Sequence, residues 1–160
     1  MNNPHGEFET FVTHQLLLFS ARGPWNDETM KNGVVRMASN ISQFEEGSQW
    51  AQLSCLYGES IMPPSTFDIF VKQTRIRKRR GLSFLAVVIL DTDIMLTIKQ
   101  QISMCYELAE VPFAFFDNVK DALCAIEERE ISFDKEEAIG FFEQFDFTAS
   151  DCAAKSLTIS

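Results

Sequence analysis

The side chains with the most chemical reach here are four cysteines, two histidines, a Ser-Thr pair beside a double proline, and a dense run of cations. The cysteines are Cys55, Cys105, Cys124 and Cys152, and the histidines are His5 and His14. A metal site or a thiolate–imidazole pair needs such residues at short, defined spacings. No two cysteines are neighbours, and both histidines lie near the N-terminus. Neither a metal ligand set nor a Cys–His nucleophile is expected, and the cysteines read as small buried hydrophobes in the reduced form. The carboxylate pairs Asp91/Asp93 and Glu127/Glu128 stand at predicted helix ends, as caps or solvated charge. Gly23 and Gly33 make neither a Walker loop nor a dinucleotide loop. Nothing groups a nucleophile, a base and an orienting residue, so the expectation is a non-enzymatic protein without a cofactor.

Ser65, followed by Thr66 and then by Asp68, has the form of a capping box that opens a helix. The helix dipole would also favour a phosphate there, which makes Ser65 and Thr66 the candidate phospho-acceptors. Arg75, Arg77, Lys78, Arg79 and Arg80 fill five of six positions at the end of the same helix. A helix C-terminus accounts for one or two cations. The rest form a candidate partner-binding surface, or pair with acids of the chain's own C-terminal segment. Trp25, just after Gly23-Pro24, either seals one end of the core or contacts a ligand from a loop.

Four apolar runs must position these residues: Gln15–Ala21, Trp50–Tyr57, Leu82–Leu90 and Val111–Phe116. Leu82–Leu90 is too short to cross a bilayer and nearly free of polar side chains, so it reads as a strand buried on both faces. Each run is followed by a helical pattern, which predicts an α/β fold with helices over a sheet. Phe8–Ala21 reads as a hairpin or one bent strand. Asn26 is placed to cap a helix striped by Met30, Val34, Met37, Ile41 and Phe44 and ended by Gly47. The second helix buries Phe67, Phe70, Val71 and Thr74 and stops at Gly81. Asp91-Thr92-Asp93 are expected to cap a third, striped by Ile94, Ile98, Ile102, Cys105 and Ala109. Pro112 marks an edge strand or a strand start. Asp117-Asn118 cap a fourth helix, with Val119, Ala122, Leu123 and Ile126 inward. Beyond Glu130, Ser132 is expected to cap a short helix carrying Phe133, Phe141, Phe142 and Phe145. That helix should dock on the domain or on another protomer, and from about Asp146 the chain should fray.

A chain of 160 residues with 46% hydrophobic residues suits one globular domain with an appendage. The net charge is −9, of which −6 falls in residues 127–160. That acidity argues against general nucleic-acid binding. The absence of a signal-peptide pattern and of an apolar stretch long enough to span a bilayer makes a cytoplasmic protein, without stable membrane insertion, the expectation.

Three stretches carry a resemblance: Arg22-Gly23-Pro24-Trp25-Asn26 after the first strand, Trp50-Ala51-Gln52-Leu53 opening the next, and Val111-Pro112-Phe113-Ala114-Phe115-Phe116-Asp117 before the fourth helix. In these and in element order, Phe8–Glu128 resembles the STAS superfamily, and within it the bacterial SpoIIAA-like, anti-sigma-factor antagonist-like proteins. The resemblance implies a SpoIIAA-like/STAS fold over residues 1–130, a central mixed sheet of four to five strands with about four helices. Residues 131–160 lie outside it as an acidic, Phe-rich C-terminal helix and tail, and because the four helix stripes and four strand runs already pair with one another within residues 8–128, that core is expected to survive without them. The resemblance also implies a protein-interaction module in bacterial signalling or regulation. In the antagonist branch a partner kinase phosphorylates a Ser in an Asp-Ser-Ser-Gly type loop. Pro64-Ser65-Thr66-Phe67 is the equivalent stretch, and it keeps the Ser without the Asp or the Gly. SpoIIAA-like proteins also resemble lipid-binding domains of the Sec14 kind, which implies the alternative: a carrier or sensor of an apolar small molecule or lipid. The expected partners are thus another protein, a second copy of the chain, or an apolar ligand. A cavity of several hundred Å³ between helices and sheet would favour the ligand, and a filled core the protein.

Overall fold

The computed structural model describes residues 7–148. His5, Cys152 and the last part of the C-terminal tail lie outside the described residues. β1 (Glu7–Thr13) and β2 (Leu16–Arg22) form an antiparallel hairpin. β3 (Trp50–Tyr57), β4 (Leu82–Leu90) and β5 (Phe113–Phe116) run parallel to β2, in the spatial order β1-β2-β3-β4-β5. The result is a five-stranded mixed sheet. β3 and β4 coincide with the apolar runs. β5 starts after Pro112 and lies at the sheet edge, the place where a residue without an N–H is tolerated.

α1 (Asp27–Ile41), α2 (Pro64–Arg79) and α3 (Met95–Ala109) join successive parallel strands and cover one face. α4 (Val119–Glu128) and α5 (Lys135–Gln144) cover the other. The two-residue period of a strand divides the core accordingly. Leu17, Trp50, Leu56, Leu85 and Val87 face the first layer. Leu16, Leu18, Leu53, Cys55, Phe84 and Val88 face the second, with Leu123, Ile126, Phe141 and Phe142. Among the described residues no helix is long and apolar enough to cross a membrane.

Asn26 and Asn118 cap α1 and α4 as expected, each side chain accepting from a backbone N–H three residues on. Other helix ends differ from expectation. α1 stops at Ile41, short of Gly47, and Phe44 leaves the helix to stack on Trp50 at 4.6 Å. α2 starts at Pro64 with Pro63 at the cap position, so Ser65 sits inside the first turn and caps nothing. Proline is pre-set for that first turn, and its missing N–H needs no partner there. α3 starts only at Met95; Thr92 Oγ1 accepts from the Ile94 N–H, and Asp91 turns the chain at φ 55°. Asp134, not Ser132, caps α5. The Ser132 backbone is already engaged on both sides by Gln15, which takes its C=O at 2.8 Å and its N–H at 2.9 Å. Phe133 and Phe145 therefore flank α5 rather than lie in it. α5 docks on its own domain: Phe141 and Phe142 are buried, and Ser20 Oγ donates to the Phe145 carbonyl.

Candidate functional site

β3 is apolar except at Gln52 and Ser54. Being two apart, they share a face, the one that carries Trp50 and Leu56 toward α1, α2 and α3. Across the sheet they neighbour Leu17 and Phe19 on one side and Leu85 and Val87 on the other. The helices above do not close over them. Gly33 lies on the inner side of α1, where a Cβ would find nothing within 4 Å. The cavity left there is walled by Phe19, Trp25, Met37, Met62, Ile102 and Tyr106. It is smaller than the several hundred Å³ that would mark a roomy ligand pocket. The centre of a water-sized sphere can range over about 60 Å³ of it. One water needs roughly 10–15 Å³ by that measure, so the cavity holds a small molecule or several waters.

Trp25 is fixed at one side of the cavity. Its N–H donates to the Ile61 carbonyl at 3.1 Å, and its ring stacks on Phe19 at 6.0 Å. The preceding turn needs Gly23, since a Cβ there would lie 2.6 Å from the Glu59 carbonyl oxygen. Trp25 thus seals the core and lines the cavity together.

Arg77 also lines the cavity, and it is only 5% exposed. Its place in the α2 stripe with Val71 and Thr74 turns it inward. Nη2 donates to Thr74 Oγ1 at 3.1 Å, while Nε has no partner. Burial pulls the guanidinium below its ordinary pKa. Among the described residues no Asp or Glu lines the cavity with it. Gln52 Nε2 donates to Ser54 Oγ at 2.8 Å, and Gln52 Oε1 is likewise buried without a partner. Tyr106, on α3, is buried, and burial keeps its phenol protonated.

The cation run is therefore divided, which corrects its reading as one surface cluster. Arg77 belongs to the interior. Arg75 is exposed and donates to the Leu108 carbonyl at 3.3 Å. Lys78, Arg79 and Arg80 line an outer cleft whose acids are Glu45 and Glu46 of the α1–β3 loop. The expected pairing with the C-terminal segment does not occur among the described residues: α5 lies on the other side of the sheet.

Ser65 and Thr66 meet at a different place, the opposite end of α2, about 18 Å from Arg77 along the helix axis. Both hydroxyls donate to Asp27 Oδ1, Ser65 at 2.9 Å and Thr66 at 2.7 Å. Thr66, then Ser65, holds the Asp27 carboxyl below its ordinary pKa. Ser65 is exposed and Thr66 is fully buried. Of the two candidate phospho-acceptors, only Ser65 presents its side chain to solvent, and a phosphate on it would face the Asp27 carboxylate.

Cys55 and Cys105 are buried, and burial pushes both thiols up to about 11. Cys124 is exposed, contrary to its expected place on an apolar helix face. No group of three or more His, Cys, Asp or Glu that could hold a metal occurs among the described residues.

Of the residues singled out in the sequence, the fold brings Trp25 and Arg77 to one cavity and leaves Ser65, Thr66 and the other cations apart from it. Gln52, Ser54 and Tyr106 were not singled out. Gln52 and Ser54 had a signal: two polar residues at a strand's own period inside an otherwise apolar run.

No family model matches the sequence, and no curated protein matches it. Among solved structures, one similar chain is an uncharacterized protein of the DUF3478 family from Shewanella loihica PV-4, described as having a SpoIIAA-like fold. It superposes with a TM-score of 0.56 over 77% of this chain and 96% of that one, at 13% sequence identity. Likeness at that identity speaks to architecture, and with the strand order and the two helical layers it gives this chain a SpoIIAA-like α/β fold.

Proposed function

We propose that this protein is a non-enzymatic binding module of bacterial regulation, working in the cytoplasm, whose central cavity takes a small molecule with an apolar body. The observation that carries this reading is the cavity between β3 and the α1–α3 layer, with its largely apolar wall. Gly33 supports it. A glycine inside a helix costs roughly 1 kcal/mol relative to alanine. Its missing Cβ would touch nothing in the protein, so packing within the chain gives no reason for it. A ligand seated against α1 gives one. The buried cysteines, with thiols held protonated, favour binding over covalent catalysis. The test is titration with octan-1-ol, octanoate and octylamine, followed by amide NMR shifts. Binding of at least one, with shifts at Trp25 and Gly33 that Gly33→Leu abolishes, is expected. Silence from all three overturns the reading.

A second reading, a protein-interaction module, rests on a different surface. Leu96, Met104 and Leu108 stand exposed on the outer side of α3, and Arg75 donates to the Leu108 carbonyl at its end. Their spacing places them on one stripe. The simplest partner is a second copy of the chain. Sedimentation should then show a concentration-dependent dimer that Met104→Glu with Leu108→Glu dissolves; a monomer at every concentration excludes that partner.

A further inference from the structure

Among the described residues no carboxylate compensates the buried Arg77 guanidinium. A guanidinium withdrawn from water loses its hydration, and a carboxylate normally compensates. Here the neighbours are Thr74, Phe70, Tyr106, Cys105 and the apolar cavity wall, and among the described residues the side chain's hydrogen bond runs from Nη2 to the Thr74 hydroxyl. Nε remains without a partner, in a residue 5% exposed. A second orphan, Gln52 Oε1, belongs to the same cavity, on a residue 3% exposed. Two independent polar groups, from α2 and from β3, thus sit inside an apolar chamber with unmet hydrogen-bonding capacity. Surface cations would be available on the same helix at Lys78 and Arg79, yet Arg77 is placed inside.

Resting on the cavity reading above, we propose that the cavity is specific for a small organic carboxylate, whose apolar body lies against Trp25, Phe19 and Met37 and whose carboxylate pairs with Arg77. Arginine suits that role, because its planar fork matches a carboxylate with parallel N–H donors and keeps its charge when buried. Gln52 supplies the second polar contact: with its amide turned over, Oε1 accepts from the Ser54 hydroxyl and Nε2 donates to the ligand carboxylate. A charge-assisted pair in a water-poor chamber binds more tightly than a neutral contact, while a ligand ammonium would meet Arg77 as a like charge.

The experiment uses the full chain and the same probes, octanoate, octan-1-ol and octylamine, in calorimetric titration. The expected result is octanoate at least about tenfold tighter than octan-1-ol, with octylamine weakest. In Arg77→Met that preference should collapse to within about twofold, because the variant keeps the apolar volume and loses the charge. Raising the acidity through the pKa of octanoate should weaken its binding to wild type and leave octan-1-ol unchanged, a readout that does not depend on any variant folding. Octan-1-ol equal to octanoate, or octylamine preferred, overturns the carboxylate inference and leaves the cavity reading standing. Silence from all three probes overturns the cavity reading and the inference with it.

Discussion

Asp27 shows how a single carboxylate can set the geometry of a helix layer. It accepts from Ser65 and Thr66 together, and so ties the first turn of α1 to the first turn of α2. The two bonds are not equivalent. The Thr66 hydroxyl is fully buried and spends its hydrogen bond on Asp27 inside the helix junction, whereas Ser65 exchanges its bond for one with solvent. Thr66→Val is expected to lower Tm by about 2–4 °C and Ser65→Ala by less, as thermal unfolding would show. The pH dependence has a definite sign. The folded pKa of Asp27 lies below its ordinary 3.8, so the ionised form is favoured by folding. That contribution is present above the unfolded value and lost as the pH falls through the folded one. The gap between wild type and Thr66→Val should therefore hold at neutral pH and narrow in acid below the ordinary value. A gap that widens in acid would mean that Asp27 is not the acceptor that matters. The same contact bears on modification. A phosphate on Ser65 would put like charge against Asp27, so phosphorylation would loosen the α1–α2 junction rather than cap it.

At the scale of elements, the turn from α2 into β4 is the tightest joint. Gly81 has φ 111°, and a Cβ on it would lie 2.3 Å from the Ser48 carbonyl oxygen and 3.0 Å from the Trp50 ring. Trp50 Nε1 donates to the Arg80 carbonyl at 2.8 Å, so the turn, the indole and the loop before β3 lock together. Gly81→Ala is expected to cost about 1–3 kcal/mol in chemical denaturation, from strain and the forced shift of backbone. A cost near zero would show that the loop yields freely. Gly81 was legible as a terminator because positive φ and a helix end coincide there. The strands were legible for a similar reason: Trp50–Tyr57 and Leu82–Leu90 are buried on both faces, so their composition alone marks them. Helix starts were less so. Several residues compete for a cap, and the winner is decided by distant partners: Asp27 takes the Ser65 hydroxyl, and Gln15 takes the Ser132 backbone. The cavity was half legible. Gln52 and Ser54 betray a polar spot on an apolar strand, but Arg77 is hidden in a run of cations. Only the rotation of α2 against α1 and α3 separates it from Arg75, Lys78, Arg79 and Arg80.

For the whole molecule, the sheet has two apolar faces, and each needs its own helical layer. The α1–α3 layer comes with the parallel crossovers. The other layer consists of α4 and α5, and α5 lies wholly beyond residue 130. Phe141 and Phe142 are each 6% exposed and pack with Leu16, Leu18 and Leu53 from the sheet. Polar contacts hold the segment at both ends. The Asp134 N–H donates to Thr13 Oγ1 at 2.9 Å, and Arg22 Nη1 donates to the Phe147 carbonyl at 2.8 Å while also pairing with Asp91. Truncating one buried Phe to Ala costs about 3–5 kcal/mol. The total stability of a domain is only about 5–15 kcal/mol. Losing both rings and uncovering half of one sheet face would consume most of that margin. Deletion of residues 131–160 is therefore expected to abolish cooperative unfolding, or to leave a chain that self-associates through the bared face. Phe142→Ala in the full chain should instead unfold cooperatively at a lower Tm. Denaturation of the truncated chain decides the matter: a cooperative transition at near-native stability would make residues 1–130 a self-sufficient domain and α5 an ornament on it.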